Sequence, residues 1–270
     1  MPTVSICRRA FFSSGRRLFH PDWTEERNHE LFGRDVLPHG ENYALDVFYA
    51  GPVNERDGMI ANLTDMKPVI ADAIAPLEGA WLPDDVEHFA SLRPTTENLV
   101  KWIWTRLPAR IGGGQLSRLT LAEGTKTCAA FDGTVMKITR KYEFAAAHRL
   151  HMPHESEDLN AELYGKCNNP RGHGHNYGLE VTVEGEPDAE TGTAISAIEL
   201  DRIVDEEVFE RFDHKHLNED CPEFRELIPT SENLARVIFD VLQPKVDNGA
   251  RKLARIGLNE TQKNYFEVEA

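Results

Sequence analysis

The sequence lacks three features that would mark other classes of protein. It has only four cysteines in 270 residues, too few and too scattered for a disulfide scaffold. It has no apolar run long enough to span a bilayer, and the strand-like stretch Met1–Arg9 has no apolar signal-peptide core. It has no excess of positive charge: the net charge is −15, which disfavours nucleic acid and membranes as partners. We therefore expect a cytoplasmic globular protein with reduced thiols.

The chain repeats itself once. Four segments recur in the same order in its two halves, which predicts two homologous domains, residues 1–133 and 134–270. In the first half these segments are FFSSGRRL, ELFGRDVLPHGENYALDV, RPTTENLVKWIW and LAEGT. Their counterparts in the second half are EFAAAHRL, ELYGKCNNPRGHGHNYGLEV, IPTSENLARVIF and LNETQ. We call the two halves the first and the second repeat.

Each repeat has the same predicted order of elements, ββααββ, which is an α+β fold with the helices on one face of an antiparallel sheet. The alternation of Tyr177, Leu179, Val181 and Val183 with polar residues is typical of a half-buried strand. A helix is predicted over 198–212 from its apolar spacing, and a second helix from Thr230 or Ser231 onward. The predicted strands are 4–13, 42–49, 116–122 and 126–131 in the first repeat, and 137–147, 176–184, 252–258 and 264–268 in the second.

Three histidines of the second repeat predict a metal site. His173 and His175 lie one residue apart before a strand, so both point to the same face. His148 ends the preceding predicted strand and reaches the same place if the two strands pair antiparallel. Three imidazoles with an open fourth position fit catalytic zinc, although imidazole also suits iron, copper and nickel. We expect one Zn²⁺ per chain, in the second repeat.

Three further features could carry chemistry: a cysteine, an Asp-His pair and a glutamate. Cys167, six residues before His173, could be a fourth metal ligand or a base beside the metal, and the spacing does not decide between them. Asp213 and His214 are adjacent, and a carboxylate beside an imidazole can form a proton relay, although such pairs at helix ends are usually solvated. Glu260 lies in a predicted closing strand, where a lone glutamate most often faces solvent.

The second repeat resembles the 6-pyruvoyl-tetrahydropterin synthase family, which includes the 6-carboxytetrahydropterin synthases of queuosine biosynthesis. The motifs that carry the resemblance are FAAAHRL, LYGKCNNPRGHGHNYGLEVTVEG, FDHKHLN, PTSENLA and NET, and they cover Met136–Ala270. The first repeat resembles the family more loosely. The resemblance implies a tunnelling fold (T-fold), whose units assemble edge to edge into a barrel, and a homo-oligomer, for which three tandem chains would suffice.

The resemblance also implies roles for individual residues. It implies zinc held by His148, His173 and His175, with Cys167 as the base and Asp213 and His214 as its relay. It implies that Glu260 anchors the pterin ring, with help from Thr230, Ser231 and Glu232. The implied substrate is 7,8-dihydroneopterin triphosphate, from which triphosphate is eliminated. Lys166, Arg171 and Arg149 are candidates for binding the triphosphate.

The first repeat departs from the pattern at the metal site. Arg16 replaces the first histidine, and Glu41 replaces the second histidine of the pair that begins with His39. LEGAW replaces FDHKH, so the relay is absent as well. We therefore expect no zinc in the first repeat. It keeps PTTEN and Glu123, which suggests either that Glu123 contributes to a pterin pocket or that this repeat only completes the barrel.

The spacing within CNNPRGHGHNY, with five residues between the cysteine and the first histidine, slightly favours the branch of the family that forms 6-pyruvoyl-tetrahydropterin. The alternative is the 6-carboxytetrahydropterin synthase branch, which shares substrate and metal. A hydrolase that uses zinc hydroxide is a further hypothesis, disfavoured by Cys167, Asp213, His214 and Glu260. A non-catalytic pterin-binding or scaffold protein is disfavoured by the same intact set.

Overall fold

The computed structural model describes residues 2–270 of the chain. The first repeat begins with two long strands, β1 and β2, which enclose a short helix, α1. Three helices follow, α2 to α4, and then three strands, β3 to β5. The bounds are β1 Val4–Arg16, α1 Glu25–Phe32, β2 His39–Gly51, α2 Leu63–Ile74, α3 Leu82–Asp85, α4 Thr96–Arg106, β3 Arg110–Ile111, β4 Gly114–Glu123 and β5 Thr127–Phe131.

The second repeat has a similar order of elements, with one more short helix and one short extra strand in its helical segment, and with two closing strands instead of three. Its elements are β6 Met136–His148, α5 Glu157–Tyr164, β7 His173–Gly185, α6 Ala197–Val204, α7 Glu210–Phe212, β8 Lys215–His216, α8 Leu217–Asp220, α9 Ser231–Val246, β9 Arg251–Thr261 and β10 Asn264–Glu269. The predicted strands and both predicted helices of this repeat are present. A π-helical segment, Asp205–Phe209, lies between α6 and α7, so the helix predicted over 198–212 is not a uniform α-helix.

Antiparallel pairing orders the strands of each repeat. In the first repeat the order is β1-β2-β4-β5, with β3 pairing β4, and the register places Arg16 opposite His39. In the second repeat the order is β6-β7-β9-β10, and β8 pairs in parallel with β6. The prediction of an α+β fold with antiparallel strands is confirmed.

Burial follows the predicted alternation. The side chains of Tyr177, Leu179, Val181 and Val183 are fully buried. Helix α9 buries Leu234, Ile238 and Leu242, which lie four residues apart on one face of the helix. Ile198 was assigned to the apolar face of its helix, but 42% of it is exposed. No helix within the described residues combines the length and the apolar character needed to cross a bilayer.

Contacts divide the chain into two compact units that do not coincide with the repeats. One unit runs to Thr139 and includes Glu184–Ile198; the other contains Arg140–Val183 and Glu199–Ala270. Glu184–Ile198 belongs to the second repeat by sequence but packs on α4: Thr95 Oγ1 donates to the Gly192 carbonyl at 2.7 Å, and Lys101 pairs with Glu186 at 2.8 Å. Domain boundaries at 133 and 134 therefore remain a prediction from the repeat.

Each repeat has a short helix between its first two strands that was not predicted from the sequence. Thr24 and Ser156 cap α1 and α5, and acidic residues follow each cap, which is a recognisable helix start. A fully buried asparagine in each helix closes the preceding loop: the side chain of Asn160 bonds to both the amide and the carbonyl of Met152, and Asn28 does the same with His20. This loop leads from the end of the first strand back to the second strand.

Candidate active site

Three imidazoles of the second repeat converge on one point. His148 is the last residue of β6 and His173 is the first of β7, so the ends of two neighbouring strands bring them together. His148 Nε2 lies 3.2 Å from His173 Nε2, and one ring nitrogen from each of His148, His173 and His175 lies within 4.8 Å of the others. Gly172 permits this approach, because it has φ 69° and a Cβ there would lie 2.8 Å from the His148 carbonyl oxygen.

The protonation of these rings suits metal binding. His148 is 1% exposed, and its Nδ1 lies 2.7 Å from the Pro229 carbonyl, to which it donates; Nε2 therefore keeps its lone pair. Burial lowers the pKa of His148. Burial, and to a lesser extent the charge of His175, lowers the pKa of His173, so both imidazoles favour the neutral form. Among the described residues, His173 Nδ1 and His175 Nε2 are buried without a hydrogen-bond partner.

A carboxylate lies beside the three imidazoles. Glu260 Oε1 is 3.8 Å from His175 Nε2 and 4.0 Å from His148 Nε2. It accepts a hydrogen bond from Ser231 Oγ at 2.7 Å, and Oε2 accepts one from Asn264 Nδ2 at 3.0 Å. Burial raises the pKa of the Glu260 carboxyl, but these hydrogen bonds more than offset it, so its pKa is lowered overall and the group is ionised at neutral pH.

The three residues predicted to assist Glu260 have different environments. Thr230 is the N-cap of α9 and accepts a hydrogen bond from the Asn233 amide at 3.3 Å. Ser231 is 3% exposed and holds Glu260. Glu232 is exposed in the first turn of α9. Only Ser231 of the three has a hydrogen bond to Glu260.

Cys167 lies in a turn of 3₁₀-helix, Gly165–Asn168, and is half-buried. The turn is tied to the end of β6, because the Leu150 amide donates to the Cys167 carbonyl at 2.9 Å and Arg149 bonds to the backbone and side-chain oxygens of Asn168. Cys167, Lys166 and His173 line one surface depression. The cluster of potential metal ligands contains the three histidines without this cysteine.

Asp213 and His214 form a pair of contacting side chains close to His175. His214 Nδ1 lies 2.9 Å from Asp213 Oδ2, and Asp213 Oδ1 accepts a hydrogen bond from the Ala145 amide at 2.8 Å. Burial raises the pKa of Asp213, but hydrogen bonds from Ala145 and His214 more than offset it, so the carboxylate stays ionised. His214 is 83% exposed and lines a depression together with His175.

Two contacts in this site were missed at the level of sequence. The Pro229 carbonyl, which fixes the tautomer of His148, leaves no side-chain signal. Asn264 does leave one: it lies four residues after Glu260, across a hairpin turn, where the start of β10 faces the end of β9. A hairpin register would have predicted that contact.

The same place in the first repeat has different chemistry. Arg16, at the position of His148, is 2% exposed and donates to the Pro94 carbonyl at 2.8 Å and to Glu123 Oε1 at 2.5 Å. Thr96, at the position of Ser231, donates to the other carboxylate oxygen of Glu123. The His148–His173–His175 group is the only cluster of potential metal ligands among the described residues, 2–270.

Comparisons with known proteins match the chain half by half. The family model described as 6-pyruvoyl tetrahydropterin synthase matches residues 5–134 and again 137–270. The 6-pyruvoyl tetrahydrobiopterin synthase of Poecilia reticulata is 43% identical over 127 residues, which are 47% of this chain and 85% of that protein. That of Homo sapiens is 40% identical over 128 residues, 47% of this chain and 87% of that protein. The structure of the Caenorhabditis elegans 6-pyruvoyl tetrahydropterin synthase aligns with a TM-score of 0.48 and 35% identity, covering 50% of this chain and 96% of that one.

Each of these two relatives matches slightly less than half of the chain, while the family model matches both halves. The chain belongs to the 6-pyruvoyl tetrahydropterin synthase family of lyases, and it carries two family domains in tandem.

Proposed function

We propose that the second repeat eliminates triphosphate from 7,8-dihydroneopterin triphosphate to give 6-pyruvoyl-tetrahydropterin, with Zn²⁺ held by His148, His173 and His175. The observation that carries the proposal is the convergence of three imidazoles within 4.8 Å of one another, beside the carboxylate of Glu260. The named relatives and the family model support the same activity class.

The donor set fits a catalytic metal. The His173 ring, the buried Nε2 of His175, which has no hydrogen-bond partner, and the free lone pair of His148 Nε2 would supply three protein ligands, as in catalytic zinc sites. A zinc ion bound there would polarise the side-chain hydroxyls of the substrate and acidify the attached C–H bonds.

Two groups of the chain would move protons. The Cys167 thiolate, in the depression that His173 also lines, would accept a carbon-bound proton from the substrate side chain. His214, oriented by Asp213, would return a proton on the other side. Because the Asp213 carboxylate is itself held by the Ala145 amide, it stabilises the charged imidazole in a fixed orientation.

Glu260 would anchor the pterin ring. An ionised carboxylate can accept two N–H bonds from the aminopyrimidine edge, a charge-assisted contact, and Ser231 and Asn264 fix its orientation. Thr230 and Glu232, at the start of α9, would contact the ring nearby. The predicted pterin contact of Glu123 is untested and stays a prediction; the carboxylate accepts hydrogen bonds from Arg16 and Thr96.

The triphosphate needs a local positive site in this acidic chain. Lys166 is exposed and lines the same depression as Cys167 and His173, so it is the first candidate. Arg149 is partly committed to Asn168, and Arg171 is exposed in the loop before His173.

The proposal is tested by incubating the purified chain with dihydroneopterin triphosphate and measuring the release of triphosphate. Cys167→Ala should abolish release, whereas Cys7→Ala, which changes an exposed thiol of the first repeat, should not. A folded, metal-loaded chain that releases no triphosphate would overturn the proposal. The mass of the pterin product decides between the 6-pyruvoyl product and the alternative 6-carboxytetrahydropterin. The predicted trimer of tandem chains is checked by its mass in solution.

A further inference from the structure

The strands around the site are similar in the two repeats, but the first repeat has a buried arginine where the second repeat has its cluster of three histidines. Arg16 ends β1 as His148 ends β6, and Glu123 ends β4 in the segment that matches the one containing Glu260. The side chain of Arg16 is 2% exposed, so its guanidinium is as deeply buried as the His148 imidazole. An arginine is almost never buried to this degree unless it is paired.

The guanidinium of Arg16 contacts two groups, and the counterparts of both groups lie around His148 in the second repeat. Its Nη1 donates to the Pro94 carbonyl at 2.8 Å, just as His148 Nδ1 donates to the Pro229 carbonyl at 2.7 Å. Its Nη2 reaches Glu123 Oε1 at 2.5 Å, whereas the nearest imidazole nitrogen of the second repeat stays 3.8 Å from Glu260 Oε1. One side chain therefore replaces an imidazole and also brings a positive charge to the carboxylate.

Both oxygens of the Glu123 carboxylate accept a hydrogen bond in this arrangement. One oxygen accepts from Arg16 and the other from Thr96. A guanidinium presents its N–H groups in the same planar N–C–N pattern as the aminopyrimidine edge of a pterin, so the two would compete for the same carboxylate. Burial lowers the pKa of Arg16, but Glu123, Tyr43, Asp35 and Glu41 more than offset it, and the side chain stays charged.

We propose that Arg16 is a built-in occupant of the first repeat's ligand site: its guanidinium takes the place of both cation and pterin edge at Glu123 and closes the site. Shortening Arg16 opens a second site for a planar guanidine-like ligand on Glu123. The part of this proposal that concerns pterin rests on the proposed function of Glu260.

Guanidinium rescue tests the proposal without any pterin. Arg16→Ala leaves the partly buried Glu123 carboxylate without its charged partner, so it should lower the melting temperature. Millimolar guanidinium chloride, far below denaturing concentrations, should restore the melting temperature of Arg16→Ala, and equal concentrations of sodium chloride or urea should not. Arg17→Ala, which changes the exposed neighbouring arginine, is the matched control and should respond to none of the three. Failure of guanidinium to stabilise folded Arg16→Ala would overturn the proposal.

Ligand stoichiometry tests the pterin part. By equilibrium dialysis with 7,8-dihydroneopterin, the wild type should bind one molecule per chain, Arg16→Ala two, and Arg16→Ala/Glu123→Gln one. Two molecules on the wild type, or no additional molecule on folded Arg16→Ala, would overturn it. A wild type that binds none counts against the proposed function of the second repeat, and the guanidinium arm still decides the role of Arg16.

A double substitution covers the case in which Arg16→Ala does not fold. Arg16→Met/Glu123→Gln removes both charges of the pair, so it should melt at a higher temperature than Arg16→Met alone, which leaves the partly buried carboxylate unpaired. If the double variant is no more stable than Arg16→Met, the two side chains are not an ion pair that closes the site, and the proposal fails.

Discussion

Gly79 and His214 occupy the same turn in the two repeats, and both have a left-handed backbone, with φ 70° and 56°. The amide of Gly79 donates to the Ser13 carbonyl at 2.8 Å, and the amide of His214 donates to the Ala145 carbonyl at 2.6 Å. Glycine adopts this conformation freely, whereas a histidine is strained in it. His214 is the only non-glycine residue with positive φ among residues 2–270, and it belongs to the proposed relay.

The first prediction follows from this strain. His214→Gly should change the free energy of unfolding by less than about 1 kcal/mol, because relief of strain offsets the greater freedom of the unfolded chain. It should lower kcat by about 10²–10⁴-fold, since the proposed proton donor is lost. Urea unfolding and triphosphate release measure the two effects.

Gly79→Ala is the reciprocal substitution. No atom lies within 4 Å of the position of the added Cβ, so any cost arises from the backbone conformation. We expect a loss of about 1–2 kcal/mol in unfolding free energy and unchanged turnover. A Gly79→Ala variant as stable as the wild type would contradict the strain, and a fully active His214→Gly variant would contradict the relay.

The sequence predicted the three imidazoles of this site because they lie on regular strands. His148, His173 and His175 follow from the parity of β6 and β7, and their convergence is found in the structure. The position of Glu260 beside them did not follow, since a strand glutamate gives no sign of which residue it faces. The contact depends on how α9 packs beside β9, through Ser231, and packing of this kind is not periodic in sequence.

Two contacts of the first repeat could not be predicted from its sequence. The loss of its histidines predicts that the first repeat holds no zinc, and this stays a prediction. The pairing of Arg16 with Glu123 was not predicted, because buried arginines are rare and the sequence does not indicate burial of this one. The placement of Glu184–Ile198 on α4 was missed for a similar reason, since a loop carries no periodic signal.

The second prediction concerns metal content. His173→Ala should reduce bound zinc from about one ion per chain to a small fraction, because it removes one of three proposed protein ligands. His39→Ala changes the histidine at the same strand position of the first repeat and should leave zinc unchanged. Elemental analysis after dialysis measures both variants, and equal zinc in His173→Ala and the wild type would contradict the assigned ligands.

The third prediction concerns the pterin anchor. Glu260→Gln keeps the shape of the side chain but removes the charge, and a hydrogen bond to a charged group is worth about 1.5–3 kcal/mol, so affinity for 7,8-dihydroneopterin should fall about 10–100-fold. Ser231→Ala removes the hydrogen bond that orients Glu260 and should cost about fivefold. Glu267→Gln, an exposed glutamate of the same hairpin, is the control. Unchanged affinity in Glu260→Gln would refute the anchor.

The last prediction is a dependence of stability on pH that arises from Glu97. This residue is 3% exposed, and burial raises its pKa to about 7 despite hydrogen bonds to the carboxylate, including one from the Ala194 amide at 3.4 Å. The unfolded chain releases the proton near the ordinary value of 4.5. The folded state therefore binds the extra proton between these values, and stability should fall by on the order of 3 kcal/mol as pH rises from 4.5 to 7, then level off.

Glu97→Gln should remove that fall, so that its advantage over the wild type grows with pH and is greatest above pH 7. Glu232→Gln is the matched control, because Glu232 has the same position in α9 but is exposed. Urea unfolding of the three proteins across this range measures the difference. If the wild type and Glu97→Gln gave parallel pH profiles, Glu97 would titrate equally in both states, and the burial of its carboxylate under Glu184–Ile198 would have to be abandoned.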